Sequence, residues 1–223
     1  MSTVRQSIIK NAVGLGLFAF FTAGLIATSY SLTRERVILN AEAYAARILY
    51  ELVPATYFDQ PIEQQQLALA DPAQWQGLAR LGLRSARPAY RAMVNDAVTA
   101  VVLPATTPDG YTGDIHLLIA IDAMGQLLGV RVVEHKETPG LGDAIEADKS
   151  RWIHQFVGKS LGNPRPDRWA VQKDGGDFDQ LTGATITPRA VVRAVRDSLE
   201  FFADNRPALL FPEPSSLSEN EQP

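Results

Sequence analysis

Two threonines near the carboxyl end of the chain flank a glycine and an alanine, a pattern that could bind a phosphate group. Residues 182–185 read TGAT, and Thr187 and Pro188 follow closely. Threonine is a favourable N-cap and proline a favourable first helical residue, so the sequence predicts that a helix begins at Pro188. A helix N-terminus offers free N–H groups and a partial positive charge, which favour an anion beside Thr185. The Thr185 hydroxyl could therefore carry a phosphate.

The same residues also fit a simpler interpretation. They could form a tight turn ahead of a helix, in which Gly183 supplies the permissive backbone. The predicted helix favours the phosphate site, but a four-residue pattern is weakly specific on its own, so a second motif is needed to decide.

That second motif is a loop rich in glycine and proline. Residues 137–142 read ETPGLG. They could form only a turn, or a rigid loop whose backbone and Thr138 pack against a flat ligand. The three histidines, His116, His135 and His154, lack the spacing of metal ligands, so we expect no metal site.

The composition excludes several classes of protein. The chain has 223 residues and no cysteine, so it cannot form a disulfide, hold an iron–sulfur cluster or use a thiol nucleophile. Its formal net charge is −4 and it has no basic stripe, so we expect no nucleic acid among its partners. No pair of side chains has the pattern of a general acid/base or nucleophilic site, so we assign no catalytic residue.

An uncharged stretch near the N-terminus predicts a membrane anchor. Residues 11–33 contain no charged residue, and a helix of this length, at ~1.5 Å per residue, can cross a hydrocarbon core of ~30 Å. A cleaved signal peptide is the alternative, but its apolar region would be shorter, and residues 27–29 match its cleavage site poorly. Basic residues nearly balance across the stretch, and the slight excess obtained with the free amino terminus favours a cytoplasmic N-terminus. The rest of the chain would then lie outside the cytoplasm.

Residues 34–96 are predicted to be helical and irregular. Apolar residues recur at helical spacing over 33–52, with Thr33 as a candidate cap and Pro54 as the residue that ends the helix. The remainder of this part is predicted to be loop or has no clear pattern.

Residues 97–204 are predicted to form one α+β domain. A short helix at 148–157 and an amphipathic helix at 188–203 would pack on the sheet, and a weaker segment at 169–171 fits a further short strand. The tail, 205–223, is rich in proline, serine and glutamate and is predicted to be disordered. Three segments separated by turn residues predict an antiparallel meander: 97–103, 115–121 and 127–134.

Taken in order, the two motifs resemble the signature of the FMN-binding domain family. That signature is an E-T-P-G-L-G loop followed by D-x-x-[S/T]-G-A-T, which here correspond to residues 137–142 and 179–185. Residues 135–146, together with the N-terminal anchor and the chain length, are similar in particular to the G subunit of the Rnf (or Rsx) electron-transport complex. Thr182 stands where serine is common and keeps the hydroxyl. The resemblance covers residues 1–205.

This resemblance implies that FMN is joined to Thr185 by a phosphoester, and that a separate flavin transferase attaches it using FAD. We expect Asp179 to brace the turn, either directly or as an Asx-turn residue. Lys173 is a candidate for contact with the phosphate or the ring, or is a solvated lysine. The remaining residues expected around the flavin belong to the phosphate loop (Thr182, Gly183, Ala184) and to the ring site (Thr138, Gly140, Leu141).

The resemblance also implies a function. The chain would be a flavoprotein subunit of an ion-translocating complex in the bacterial inner membrane, with its flavin domain in the periplasm. Its partners would be other membrane subunits, the flavin transferase and membrane lipid, and it would pass electrons without being a stand-alone enzyme. Three alternatives stay open: the C subunit of the sodium-translocating NADH:quinone reductase, a membrane-tethered sensory module with non-covalent flavin, and a structural subunit whose loop is empty.

Overall fold

The long first helix begins close to the N-terminus and runs without a break. The structure, a computed structural model, describes residues 2–211, and for residues 2–7, 9, 10 and 35–45 it describes the backbone alone. Helix α1 spans Ser2–Leu52. The chain divides into two compact units, Met1–Ala45 and Ala46–Pro223.

The first unit is helical throughout its described length. Asn11–Arg34, a stretch of 24 residues, is long and apolar enough to cross a membrane. The predicted cap at Thr33 is wrong, because the Thr33 hydroxyl donates to the Ser29 carbonyl one turn earlier at 2.8 Å. Such back-bonding satisfies a hydroxyl inside an apolar helix and leaves the helix unbroken. The predicted end of this helix is confirmed, since Leu52 is the last helical residue before Pro54.

Within the described residues, the second unit contains a five-stranded antiparallel sheet in which neighbours in sequence are neighbours in space. The α+β class and the predicted meander, now β3 to β5, are confirmed. Strands β1 and β2 lie within 34–96 and were not predicted. The strands are β1 Gln66–Ala68, β2 Pro88–Val94, β3 Ala97–Thr107, β4 Ile115–Asp122 and β5 Leu127–Glu134.

Both faces of the sheet are covered, which explains why β3 and β4 are apolar on both sides. Successive side chains of a strand point to opposite faces. Val101 and Leu103 of β3 belong to the larger core, which includes Val195 of the carboxyl-terminal helix. Val102 belongs to a second core, which includes Leu52 from the last turn of α1. The sheet is therefore the middle layer of three.

The carboxyl-terminal helix, α2, spans Ile186–Leu210 and differs from the prediction at both ends. It begins two residues before Pro188, with Thr185 in the N-cap position, so Thr187 lies in the first turn and is fully buried. It also continues past Asn205, whose Nδ2 donates to the Gln76 carbonyl at 2.8 Å. The predicted disordered tail therefore started too early, and its part from 212 to 223 lies outside the described residues.

Two weaker predictions are corrected by an aromatic cluster. The helix expected at 148–157 is a single 3₁₀ turn, Trp152–Phe156, and the strand expected at 169–171 is reduced to one bridge between Val171 and Phe178. Ring centroids lie 5.6 Å apart for Trp152 and Phe156, and 4.9 Å apart for Phe156 and Phe178. Packing of these rings fixes the chain just before the TGAT loop without regular secondary structure.

Candidate functional site

The two sequence motifs meet at the start of α2, where they line a pocket of about 450 Å³. Thr138 and Leu141 come from the ETPGLG loop, and Gly183, Ala184 and Thr185 from the TGAT loop. Five of the residues named from the sequence therefore share one concave site.

Thr185 lies at the start of α2, in the lining of the pocket. It occupies the N-cap position of α2 with helical backbone angles (φ −92°, ψ −31°), and within the described structure its side chain makes no capping hydrogen bond. The residue is partly exposed and lines the pocket. Because an α2 of 25 residues places its N-terminal N–H groups here, the site favours a bound anion.

Gly183 brings the two motifs into contact. Its φ of +81° is a left-handed conformation that most other residues avoid. A Cβ at this position would lie 2.7 Å from Leu141 Cδ2, so a larger residue would displace the leucine. Gly183 therefore allows the TGAT loop both its turn and its close approach to the ETPGLG loop.

The ETPGLG loop is held in shape by its own backbone. The Thr138 carbonyl accepts hydrogen bonds from the N–H groups of Leu141 and Gly142, each at 3.1 Å. Gly140, at φ +78°, makes the turn from Thr138 to Leu141 possible. The fixed loop carries Leu141, which is exposed beside the pocket, where a flat apolar ligand can pack against it.

Glu137, which the sequence analysis did not assign to the site, is the central polar residue of the pocket. It is only 4% exposed. Its Oε1 accepts hydrogen bonds from Thr112 N at 3.0 Å and from Thr112 Oγ1 at 3.1 Å, and its Oε2 accepts one from Thr187 Oγ1. Gly142 leaves room for the carboxylate, because a Cβ there would lie 2.8 Å from Oε2. Only the contacts across the fold reveal this role.

A histidine behind the loop connects Glu137 to charged residues. His135 Nδ1 accepts a hydrogen bond from Glu137 N at 2.9 Å, so Nε2 carries the proton and donates to Glu146 Oε1 at 2.7 Å. His135 thus braces the loop through both ring nitrogens.

Lys149 completes this network by bridging two carboxylates. Its Nζ lies 2.7 Å from Glu146 Oε1 and 3.0 Å from Asp143 Oδ2. The hydrogen bond from Lys149 lowers the pKa of Asp143, and bonds to both carboxylates raise the pKa of Lys149. Burial acts to raise the pKa of Glu146, but hydrogen bonds from Lys149 and His135 outweigh it and the pKa is lowered. All three groups therefore stay charged at neutral pH and hold the loop.

Four of the expected residues do not line the pocket. Thr182 and Gly140 lie in the two loops and are exposed outside the pocket lining, and Lys173 is exposed on a separate 3₁₀ turn. Asp179 braces the chain: its carbonyl accepts from Trp152 Nε1, and its Oδ1 accepts from Gln172 Nε2, both at 2.7 Å. The Asp179 carboxylate thus bonds a neighbouring side chain.

Tyr111 and Ile186 also line the pocket, and neither was expected from the sequence. The site as a whole offers hydroxyl groups, a helix N-terminus and apolar walls, which together fit a phosphate joined to a flat ring. Across the described part of the chain, no group of three or more His, Asp or Glu side chains could hold a metal ion.

Comparison with known families matches both ends of the chain. Residues 110–200 match the FMN-binding domain, which includes both loops of the pocket. Residues 1–52 match the N-terminal region of RnfG, which coincides with helix α1.

Relatives with similar sequences extend over nearly the whole chain. The G subunit of the ion-translocating oxidoreductase complex of Pseudomonas aeruginosa is 49% identical, over 95% of this chain and 96% of the relative. Proteins of the same name from Shewanella baltica and Vibrio vulnificus are each 41% identical, over 97% and 92% of this chain and 99% and 94% of their own. Among solved structures, the C subunit of the Na⁺-translocating NADH-quinone reductase from Parabacteroides distasonis is 23% identical, with a TM-score of 0.41, over 54% of this chain and 63% of that one.

Proposed function

This chain belongs to the family of G subunits of ion-translocating oxidoreductase complexes, and we propose that it carries FMN joined to Thr185 by a phosphoester bond. The match to the FMN-binding domain supports FMN as the cofactor. Bound FMN accepts and passes on electrons singly, while the protein supplies binding and orientation.

One observation carries the assignment of Thr185. Thr185 lines the pocket at the N-terminus of α2, and its side chain makes no capping hydrogen bond in the described structure. Thr187 is a less suitable attachment site, because it is buried and donates its hydroxyl proton to Glu137. Thr182 is exposed and lies outside the pocket lining.

A separate flavin transferase would form the bond, with FAD as its substrate. Thr185 Oγ1 bonds to the flavin-side phosphorus, and the bond from that phosphorus to the oxygen of AMP breaks. AMP leaves, and the threonine proton passes to a base of the transferase or to water. The product is a phosphodiester with one negative charge, which the N-terminus of α2 stabilises.

The bond would act as a tether and would leave the isoalloxazine ring unmodified. Leu141 and Thr138 then provide the wall against which the ring packs, and Gly183 allows the backbone to approach the phosphate. Because the ring cannot diffuse away, its effective concentration at the pocket is high. This matters for a domain that faces the periplasm, where free FMN would be lost.

The setting of the protein follows from its family and its first helix. As a G subunit, it assembles with other subunits of the complex. The apolar stretch Asn11–Arg34 favours anchoring in a membrane. We infer that this is the bacterial inner membrane, with the N-terminus in the cytoplasm and the flavin domain in the periplasm.

We expect Thr185→Val to abolish flavin attachment. The full chain would be expressed with an active flavin transferase and separated by denaturing electrophoresis. Flavin fluorescence of the band under ultraviolet light, with the intact mass of the protein, measures attachment. The wild type should fluoresce and gain the mass of FMN less one water, and the variant should do neither.

Thr182→Val is the matched control, because it removes a neighbouring hydroxyl that does not line the pocket. It should stay fluorescent. Fluorescence in Thr185→Val would move the attachment to another residue. A wild-type band without flavin fluorescence would contradict the covalent bond. In that case, flavin released on denaturation would favour a sensory module. A protein that carries no flavin at all would favour a structural role.

A further inference from the structure

One wall of the pocket comes from outside both motifs. Residues 108–114, here called the Tyr111 loop, connect β3 to β4. Tyr111 lines the pocket while 68% of its surface stays exposed to solvent. An aromatic side chain that is this exposed in the lining of a pocket can pack its ring against a ligand.

The Tyr111 loop is fixed to both elements that form the pocket. Thr112 donates through its N–H and its hydroxyl to Glu137 Oε1, at 3.0 and 3.1 Å. Arg193 Nη1 of α2 donates to Asp109 Oδ2 at 2.8 Å. The position of Tyr111 therefore depends on the ETPGLG loop and on α2. Of these two interactions, the one with the Glu137 carboxylate is buried.

Three large side chains of the pocket lining are also exposed to solvent. Tyr111, Leu141 and Ile186 are 68%, 43% and 46% exposed, and all three line the same pocket. Exposed apolar side chains that cluster around a cavity mark a ligand site. The three side chains come from three different segments, which together could enclose a flat ring on more than one side.

We propose that Tyr111 packs against the isoalloxazine ring of the bound flavin, and that Glu137 is the positioning residue that holds the Tyr111 loop in place. This inference rests on the proposed function. Tyr111 supplies an aromatic face that needs little ordering, because the loop is already fixed when the flavin arrives. Glu137 acts on the Tyr111 loop through its hydrogen bonds with Thr112.

Flavin fluorescence tests the contact, because a phenol beside an excited isoalloxazine quenches its emission. The intact mass of full-length protein loaded by the transferase would first be measured, to show one FMN per chain. The emission of the native protein is then compared with that of the same sample unfolded in urea. The wild type should be strongly quenched in the native state.

Two substitutions separate quenching from packing. Tyr111→Phe keeps an aromatic face but loses the easily oxidised phenol, so native emission should rise while iodide reaches the flavin no better than in the wild type. Tyr111→Leu should raise the emission as well. It should also shift the equilibrium between packed and unpacked ring by roughly 2- to 12-fold, which corresponds to the free energy of one aromatic pair. Iodide should therefore quench the flavin of this variant more strongly than that of the wild type. Thr112→Val should give an intermediate emission, because it loosens the loop.

Tyr50→Phe is the control, since Tyr50 lies on the last turn of α1 and does not line the pocket. It should match the wild type. Loaded Tyr111→Phe and Tyr111→Leu with unchanged native emission would overturn the contact while leaving the covalent flavin intact. A wild type without the added mass would overturn the proposed function, and this inference with it.

Discussion

Glu137 is a carboxylate buried inside the protein, which costs free energy unless hydrogen bonds compensate for lost water. Thr187 and Thr112 provide those bonds. The same bonds fix the first turn of α2 and the Tyr111 loop against the ETPGLG loop. They also engage the Thr187 hydroxyl, so Thr185 is the threonine of this turn whose hydroxyl is left for another partner.

Gly142→Ala should destabilise the protein by about 1–3 kcal/mol, the usual cost of overpacking. The new Cβ would lie 2.8 Å from Glu137 Oε2 and 3.1 Å from Thr187 Oγ1. Urea denaturation of the full chain in detergent measures the change through tryptophan fluorescence. Gly162→Ala is the control, because in the described structure no atom beyond its chain neighbours would lie within 4 Å of its Cβ. Equal stability of the two variants would contradict the close packing around Glu137.

At the scale of single residues, the sequence predicts those site residues whose role depends on their immediate neighbours in the chain. Gly183 and Thr185 could be recognised because a glycine turn and a helix start are encoded by adjacent residues. Glu137 could not, since its partners lie 25 and 50 residues away. Tyr111 has no distinguishing neighbour in sequence either, and only the fold brings it to the pocket.

At the scale of elements, the last turn of α1 belongs to the core of the second unit. Leu52 is 2% exposed, and Gly129 of β5 has no side chain where the leucine packs, since a Cβ there would lie 2.9 Å from Leu52 Cδ2. One helix therefore contains an apolar stretch suited to a membrane and, at its end, a turn that covers the sheet.

We expect Leu52→Ala to lower the free energy of unfolding by about 2–5 kcal/mol, the range for truncating a buried leucine. The same urea titration would detect this change. Arg47→Ala serves for comparison, because the Arg47 side chain is 77% exposed and its ion pair with Glu51 lies at the surface. If both variants unfold like the wild type, Leu52 contributes nothing to the core.

The elements that the sequence predicted well have strong local signals. Strands β3 to β5 are rich in β-branched residues and separated by turn residues. Strand β1 has three residues and none is β-branched, so only pairing with β2 defines it. Helix α2 continues through Pro207 because Leu209 and Leu210 are buried beyond it, and this packing outweighs the local preference to stop.

At the scale of the whole molecule, the boundary between the two units predicts where the chain can be cut. A chain that begins at Ala46 keeps Ile48, Leu49 and Leu52 and should be soluble and fold cooperatively. A chain that begins at Val53 loses all three and should aggregate or unfold at a much lower temperature. Thermal unfolding of both, beside the detergent-solubilised full chain, measures this. Equal stability of the two truncated chains would contradict the boundary.

The contact between Leu141 and Gly183 has a consequence for biogenesis. The pocket needs the middle and the end of the chain to come together, so a nascent or misfolded polypeptide displays Thr185 without the surroundings that hold a ring. A transferase that reads those surroundings would modify only molecules that have matured. The ratio of flavin to protein in a cell extract would then report the yield of correctly folded protein, independently of how much polypeptide was synthesised.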